Sequence, residues 1–191
     1  ENKTVLHWLA LAGSAALLGF SLFFNNIGVT FFHAFVSDKL SIFFKILFFI
    51  NLFLIVLVSR NYLKANPRFT AEYYVLLLSA TLGMLFLASS QELITFYVSL
   101  ELLSLSSYIL AAYQKNAPKS TEAGIKYLLL GAMSSGLLVF GISLIYGAGG
   151  STNFNVLGQV LPATPYPALL YLGMVFVLVG FSFKIAAVPF H

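Results

Sequence analysis

The stretch FYVSLELLSLSSYILAAY, residues 96–113, contains one charged residue, Glu101, among seventeen uncharged ones. At about 1.5 Å per residue, a helix of this length nearly crosses the roughly 30 Å hydrocarbon core of a bilayer. Glu101 would then lie near the midplane, where its short side chain cannot reach the lipid headgroups. The stretch therefore predicts a membrane helix with a carboxylate at its centre, and that carboxylate needs a partner or a task.

The composition of the whole chain supports a membrane environment. Of its 191 residues, 60% are hydrophobic and 8% are charged, whereas soluble domains carry about 25% charged residues. The apolar runs do not alternate with period two, which excludes a β-barrel and favours helices. We predict an all-α integral membrane protein with a single transmembrane domain over 1–191. Its bundle of about six helices would cover approximately 8–24, 40–59, 72–90, 92–113, 123–147 and 167–191.

The basic residues indicate how the helices are oriented. With a cytoplasmic N-terminus, the outer loops would hold Lys39 alone, and the inner loops would hold Lys3, Arg60, Lys64, Arg68, Lys115 and Lys119. This asymmetry follows the positive-inside rule. Because the basic residues do not cluster on one helix face, we expect no nucleic-acid binding. The chain begins at Glu1 and ends at His191, directly after an apolar stretch, so we expect a fragment of a longer chain without a cleaved signal peptide.

Redox centres are not expected on this chain. It contains no cysteine, which excludes Fe–S clusters, disulfides and thiolate zinc sites. The three histidines, His7, His33 and His191, do not form a facing pair inside the predicted spans, so a bis-histidine haem is not expected. We also find no Gly-rich phosphate loop after a strand. The sequence predicts no cofactor and no metal, and any electrons would travel elsewhere.

Glu101 is the strongest candidate for a functional residue. A charge at bilayer depth costs about 3 kcal/mol or more, so it usually faces the interior of a bundle. Tyr97, Ser104 and Tyr108 lie at i−4, i+3 and i+7 and would form a polar stripe on the same helix face. The alternative is a protonated glutamate that hydrogen-bonds a neighbouring helix and serves packing alone.

Three lysines also fall within the predicted spans. Lys126 follows Glu122 by four residues, which allows either a functional lysine or an interfacial i,i+4 ion pair whose lysine reaches the water. Lys45 lies near the outer end of its span, where we expect it to reach the surface.

Lys184 lies between Gly180 and Pro189. Proline cannot donate a hydrogen bond to the carbonyl four residues before it, so the sequence predicts a helix that breaks near Lys184. Broken helices in membranes are buried in protein or line a wet cavity. His191 is seven residues beyond Lys184, on the same helix face, and is a further candidate. The alternative is a simple proline kink with a lysine that extends to the inner surface.

Small residues recur at a spacing of four near the middle of the fifth span. Gly131 and Ser135 form one pair, and Ala132 and Gly136 form a second. Small residues at this spacing let helix backbones approach closely, so both pairs are predicted to serve helix packing.

A buried carboxylate and a buried lysine can act together as a switch. At an effective dielectric constant near 20, opposite charges about 4 Å apart attract by about 4 kcal/mol, and doubling the distance halves that energy. A lysine would hold its proton while the carboxylate is close and could release it once the carboxylate withdraws. Several such sites across a membrane would form a proton path.

Three sequence blocks, 76–113, 120–154 and 180–191, resemble one family in their order and content. The last block, GFSFKIAAVPFH, is the most specific. The chain is similar to the antiporter-like proton-pumping subunits of NADH:quinone oxidoreductase (respiratory complex I), especially the chain N family. This resemblance is strong from about residue 72 onward and weak over 40–71. It implies a larger inverted-repeat fold, of which the chain would supply the second to seventh helices.

The resemblance also implies a function and a site. Glu101, Lys126 and Lys184 match the glutamate of the family's fifth helix and the lysines of its sixth and seventh, which serve proton translocation. The chain would be a non-redox subunit of the translocase, with FMN, Fe–S clusters and quinone on other subunits. Its partners would be other membrane-arm subunits and lipid, in a bacterial inner membrane or an energy-converting organelle. The family's eighth-helix lysine and second repeat are not in this sequence.

Two other functions remain open at this stage. The same superfamily includes subunits of multisubunit cation/proton antiporters, which have no redox partner. A structural membrane scaffold is the second alternative, in which the buried charges only specify helix packing. The scaffold predicts that isosteric Glu101→Gln preserves all transport.

Overall fold

The computed structural model describes residues 2–23, 27–30, 34–65 and 69–188. Within these residues, six helices are long and apolar enough to cross a membrane, which confirms the predicted all-α membrane bundle. Their bounds are α1 (Asn2–Phe23), α2 (Lys39–Ala65), α3 (Thr70–Leu87), α4 (Leu93–Ala111), α5 (Pro118–Gly149) and, after the short α6 (Phe154–Val160), α7 (Pro167–Lys184). A 3-10 turn over Leu161–Ala163 follows α6, and an antiparallel hairpin, β1 (Gly28–Thr30) with β2 (Phe35–Ser37), precedes α2. Neither the hairpin nor α6 was predicted from the sequence.

The connection between α3 and α4 is tied to its neighbours on both sides. The Val36 N–H of β2 donates to the Ser89 carbonyl over 2.7 Å. On the other side, the Glu92 carboxylate accepts hydrogen bonds from the hydroxyls of Thr95 at 2.5 Å and Thr152 at 3.1 Å. These bonds hold the start of α4 in place and therefore fix the height of Glu101.

Asp38 and Ser41 begin α2 with a reciprocal cap. The Ser41 N–H donates to the Asp38 carboxylate over 2.7 Å, and the Asp38 N–H donates to the Ser41 hydroxyl over 2.9 Å. The backbone hydrogen bond from Ser41 lowers the pKa of the Asp38 carboxyl below its usual value. The carboxyl is therefore ionised at neutral pH, which favours it as a cap at the positive end of the helix dipole.

Two buried clusters hold the helices together. The first lies between α2 and α3 and includes Leu52, Val56 and Tyr74. The Tyr74 hydroxyl lies 2.7 Å from Nδ1 of His7, which is buried in α1. The second cluster, formed by Leu100, Leu138, Ile142 and neighbouring aromatic rings, lies between α4, α5 and α7. Glu101 follows directly in sequence from the leucine of α4 in this second cluster.

Glycines bring the backbones of α5 and α7 into direct contact. A Cβ on Gly173 would lie 3.0 Å from the carbonyl oxygen of Gly141 and 3.1 Å from the backbone nitrogen of Ile145. A Cβ on Gly180 would lie 2.9 Å from the carbonyl oxygen of Ser134. Gly180 therefore serves close packing, because α7 continues through it without a break. Lipid tails are as apolar as the helix side chains, so the hydrophobic effect does not drive membrane helices together. Close packing of this kind stabilises their association instead.

Gly173→Ala is expected to destabilise the bundle. The added methyl group meets backbone atoms, which cannot move aside as a flexible side chain can, so we expect a loss of about 1–3 kcal/mol. Thermal unfolding of the full-length protein in detergent measures this loss. Gly13→Ala in α1 is the matched control, because its Cβ would meet nothing within 4 Å and alanine favours helices over glycine by about 1 kcal/mol. Equal stability of the two variants would contradict the close α5–α7 crossing.

The two predicted small-residue pairs of α5 have different outcomes. Gly131 and Ser135 are buried and face α4, as predicted. Ala132 is exposed, and a Cβ on Gly136 would meet nothing within 4 Å among the described residues. The packing prediction is therefore confirmed for the first pair and stays a prediction for the second, because the two pairs lie on adjacent faces and the described helices cover only one.

Candidate functional site

Glu101 and Lys184 meet between α4 and α7, although 83 residues separate them in the chain. The Lys184 Nζ lies 3.1 Å from Oε1 of Glu101. The side chain of Lys184 is 8% exposed and that of Glu101 is 20% exposed, so most of the surface of the ion pair is covered by protein atoms. Two of the predicted site residues therefore form one site.

The Lys184 ammonium has an acceptor for each of its three N–H donors. Its Nζ lies 3.1 Å from Glu101 Oε1, 2.8 Å from the Ser104 hydroxyl and 3.1 Å from the Tyr108 hydroxyl. All three acceptors come from one face of α4, which is the predicted polar stripe. Since a lysine ammonium donates three hydrogen bonds and accepts none, the stripe satisfies its full capacity.

The Glu101 carboxylate is held at only one of its two oxygens. Oε1 accepts from Lys184 and also from the Ser135 hydroxyl of α5, which lies 2.5 Å away. No donor among the described residues reaches Oε2. The carboxylate can therefore receive a further proton or donor at Oε2 while its first oxygen remains bound. This role of Ser135 could not be predicted from the sequence, since a small-residue spacing was the only local signal and it indicated packing.

Lys184 is the last residue of α7, and a Schellman motif ends the helix there. The Ala187 N–H donates to the Ser182 carbonyl and the Ala186 N–H to the Phe183 carbonyl, at 2.8 and 3.0 Å. Ala186 has a φ of 52°, a position that usually holds glycine and that costs an L-residue about 1–2 kcal/mol. The negative end of the helix dipole stabilises the lysine charge.

The end of α7 lies within the depth of its neighbours. Gly180 packs against Ser134 of α5, and α7 continues only four residues, about 6 Å, beyond it. From Ser134, α5 extends sixteen residues, about 24 Å, to Pro118 in the same direction. Of the predicted span 167–191, residues 167–184 form α7, residues 185–188 lie in the turn that follows, and residues 189–191 lie outside the described residues. The predicted break lies at Lys184 itself, because the Schellman motif ends the helix before Pro189.

The ion pair lies in an apolar environment at mid-helix. Glu101 is eight residues, about 12 Å, from the start of α4. Leu100, the residue before Glu101, belongs to the buried apolar cluster that also contains Leu138. At an effective dielectric constant near 20, charges 3.1 Å apart attract by about 5 kcal/mol.

Lys126 does not join this site. It forms the alternative i,i+4 ion pair with Glu122, at 2.6 Å, and the two side chains are 70% and 62% exposed. Nine residues separate Lys126 from Ser135 on α5, which places them on faces about 180° apart. The structure therefore brings one of the two predicted amines to Glu101, and the translocation role of Lys126 stays a prediction.

The remaining candidates lie apart from the ion pair or outside the described residues. Lys45 lines a small cavity of about 250 Å³ with Ser37 and Ser89. His191 and Pro189 lie outside the described residues. Among the residues that the structure describes, no group of three or more His, Asp or Glu side chains could hold a metal ion.

A known protein family matches the part of the chain that contains the site residues. The family model described as "NADH:quinone oxidoreductase/Mrp antiporter, TM" matches residues 90–191, which contain Glu101, Lys126 and Lys184. The chain is 45% identical over 194 residues to the NADH-quinone oxidoreductase subunit N of Pelagibacter ubique, covering 100% of this chain and 41% of that protein. It is 42% identical over 191 residues to subunit N of Moorella thermoacetica, covering 100% of this chain and 40% of that protein. The chain thus spans about two fifths of the length of these relatives.

Solved structures share the fold. A chain of respiratory complex I from Thermus thermophilus with bound aureothin superposes with a TM-score of 0.80 at 32% sequence identity. The match covers 99% of this chain and 40% of that chain. A chain of the membrane-bound sulfane sulfur reductase, an archaeal respiratory membrane complex, has a TM-score of 0.79 at 20% identity, which shows a common fold alone.

Proposed function

This chain belongs to the NADH:quinone oxidoreductase/Mrp antiporter transmembrane family, as its sequence blocks predict, and on that premise we propose that it is part of a proton-translocating subunit of NADH:quinone oxidoreductase. The observation that carries the proposal is the ion pair of Lys184 and Glu101, 3.1 Å apart at the middle of the bundle. A buried pair of this kind is costly, and replacing it with apolar residues is often neutral or stabilising. Its presence in a membrane helix therefore favours a transport role.

The geometry supports a mechanism in which the separation of the pair controls a proton. At 3.1 Å the attraction is about 5 kcal/mol, and at twice that distance it falls by half. The difference of about 2.5 kcal/mol is similar to the roughly 2.3 kcal/mol needed to move one charge against 100 mV. Withdrawal of Glu101 would let Lys184 pass its proton on, and return of the carboxylate would let it take up another.

The rest of the proposal concerns what surrounds the chain. It is a multi-pass membrane protein, and we place it in the inner membrane of a bacterium, among other membrane-arm subunits and lipid. The redox reaction would take place on other subunits that hold FMN, Fe–S clusters and quinone. This chain would contribute proton movement alone, driven through conformational or electrostatic coupling.

A multisubunit cation/proton antiporter is the second candidate function. The description of the matching family names Mrp antiporters together with the oxidoreductase, which supports this alternative. The names of the relatives at 42–45% identity, which are subunits N of NADH-quinone oxidoreductase, favour the first candidate.

Purification of the tagged full-length protein from its native membrane tests the proposal. We expect subunits with FMN and Fe–S clusters to copurify, and NADH to drive proton uptake when the assembly is reconstituted in liposomes with quinone. An uncoupler that collapses the proton gradient is the control for proton specificity. Copurification with cation/proton antiporter subunits alone, together with no response to NADH, would overturn the proposal in favour of the antiporter.

A further inference from the structure

We propose that Tyr108 is a positioning residue that keeps Lys184 at the carboxylate of Glu101, and that Gly131 provides the space it occupies. This inference rests on the proposed function for its effect on transport, whereas its geometric part can be tested independently.

Tyr108 is enclosed where α4, α5 and α7 meet. It is 3% exposed, and its hydroxyl lies 3.1 Å from Lys184 Nζ. The ring of Tyr127 packs edge-on against it, with centroids 4.4 Å apart at 69°. The lysine Nζ lies 5.6 Å from the centroid of the Tyr108 ring, the distance expected for a group bound at the hydroxyl end of the ring. Tyr108 therefore contacts the ammonium through its hydroxyl.

Gly131 of α5 determines whether this arrangement is possible. A Cβ at this position would overlap the Tyr108 hydroxyl and Cζ, and would lie 3.0 Å from Cε1. Any residue other than glycine would displace the hydroxyl that Lys184 contacts. Glycine in the middle of a helix costs about 1 kcal/mol relative to alanine. The space that Gly131 leaves for the Tyr108 hydroxyl explains why glycine occupies this position despite that cost.

The chemistry of a phenol suits both states of the lysine. A tyrosine hydroxyl can accept a hydrogen bond from an ammonium and can donate one to a neutral amine, whereas an ionised carboxylate only accepts. Tyr108 can therefore remain bound to Lys184 before and after the proton leaves. If the Glu101 carboxylate moves away, Tyr108 and Ser104 keep the amine in place. The ion pair can then re-form at the same position when the carboxylate moves back.

The Tyr108 side chain also lines a groove. A cavity of about 920 Å³ lies between α3, α4 and α5, and Tyr108 forms part of its wall beside Leu105, Ile109 and Leu128. Removal of the whole side chain would open Lys184 toward this groove. Tyr108→Phe keeps the ring and removes only the hydroxyl, so it isolates the positioning contact from the packing.

Labelling with a membrane-permeant amine reagent, followed by peptide mass spectrometry of the assembled full-length protein, tests the geometry. We expect Tyr108→Phe to raise the labelling rate of Lys184 about tenfold, because a hydrogen bond to a charged group holds the amine. Lys126, which is 70% exposed, is the internal reference in the same sample. Gly131→Ala should have the same effect, whereas Gly136→Ala, which meets nothing within 4 Å on the same helix, should have none. An unchanged Lys184 labelling rate in Tyr108→Phe overturns the positioning role, whether or not Gly131→Ala folds.

Proton uptake by the same variants separates this inference from the proposed function. We expect Tyr108→Phe to lower the rate about tenfold, with Gly131→Ala adding little in the double variant, since both act on one contact. Increased labelling with unchanged proton uptake would uphold the positioning role and overturn its effect on transport, whereas the absence of NADH-driven proton uptake in the unsubstituted protein would overturn the proposed function. Unchanged labelling together with a loss of transport in Glu101→Gln would uphold the function and overturn the role of Tyr108.

Discussion

Glu101→Gln is expected to abolish proton translocation by the assembled full-length protein while the protein remains inserted in the membrane. The amide keeps the size of the side chain and can still accept a hydrogen bond, but it removes the charge that holds Lys184 at 3.1 Å. Proton transfer by a positioned side chain contributes about 10²–10⁴-fold, so we expect at least a hundredfold loss. The initial rate of NADH-driven proton uptake in liposomes measures it.

Glu72→Gln is the matched control for this substitution. Glu72 is an exposed carboxylate in the first turn of α3, and its amide should leave proton uptake close to that of the unsubstituted protein. Full transport in Glu101→Gln would support the scaffold alternative, in which the buried charges only specify packing. Loss of transport in both variants would indicate a general effect of carboxylate removal rather than a role for the ion pair.

Lys184→Met is expected to destabilise the full-length protein by about 3–5 kcal/mol, the cost of leaving one member of a buried ion pair without its partner. The double variant Glu101→Gln/Lys184→Met removes both charges and should recover most of that stability, because a buried pair replaced as a whole is often neutral. It should nevertheless remain inactive in proton transport. Thermal unfolding in detergent of the unsubstituted protein, Glu101→Gln, Lys184→Met and the double variant gives the four stabilities of a double-mutant cycle.

Lys126→Met provides the comparison for an exposed pair. Its carboxylate partner is 62% exposed, and exposed ion pairs contribute about 0–1 kcal/mol. A stability loss in Lys184→Met no greater than that in Lys126→Met would show that the pair at Glu101 is not buried in the assembled protein. Additive effects of the two substitutions at the buried pair would show that Glu101 and Lys184 do not interact.

The local features of the site could be predicted from the sequence because they depend on a single helix. The length and polarity of 96–113 indicate a membrane span, and helical periodicity alone aligns Ser104 and Tyr108 with Glu101. The break near Lys184 could be predicted from flanking residues. Its exact place could not, because the Schellman motif with Ala186 in a left-handed conformation has no glycine to signal it.

The contacts between helices could not be predicted from local patterns. Ser135 and Lys184 contact Glu101 from other helices, at sequence separations of 34 and 83 residues. No spacing rule connects positions so distant in the chain. Lys126 has the residue type of a partner but lies on the opposite face of α5 from Ser135. Only the packing of α5 against α4 decides which face meets the carboxylate.

The most direct measurement is the distance between Lys184 Nζ and Glu101 Oε1 in experimental structures of the assembled full-length protein, at rest and during turnover. We predict a distance close to 3.1 Å at rest. During turnover, a second population should show the two atoms well beyond contact distance while Lys184 stays at the Tyr108 hydroxyl. An ion pair that stays closed in every state, or a Glu101 side chain that points into lipid with no amine nearby, would contradict the account.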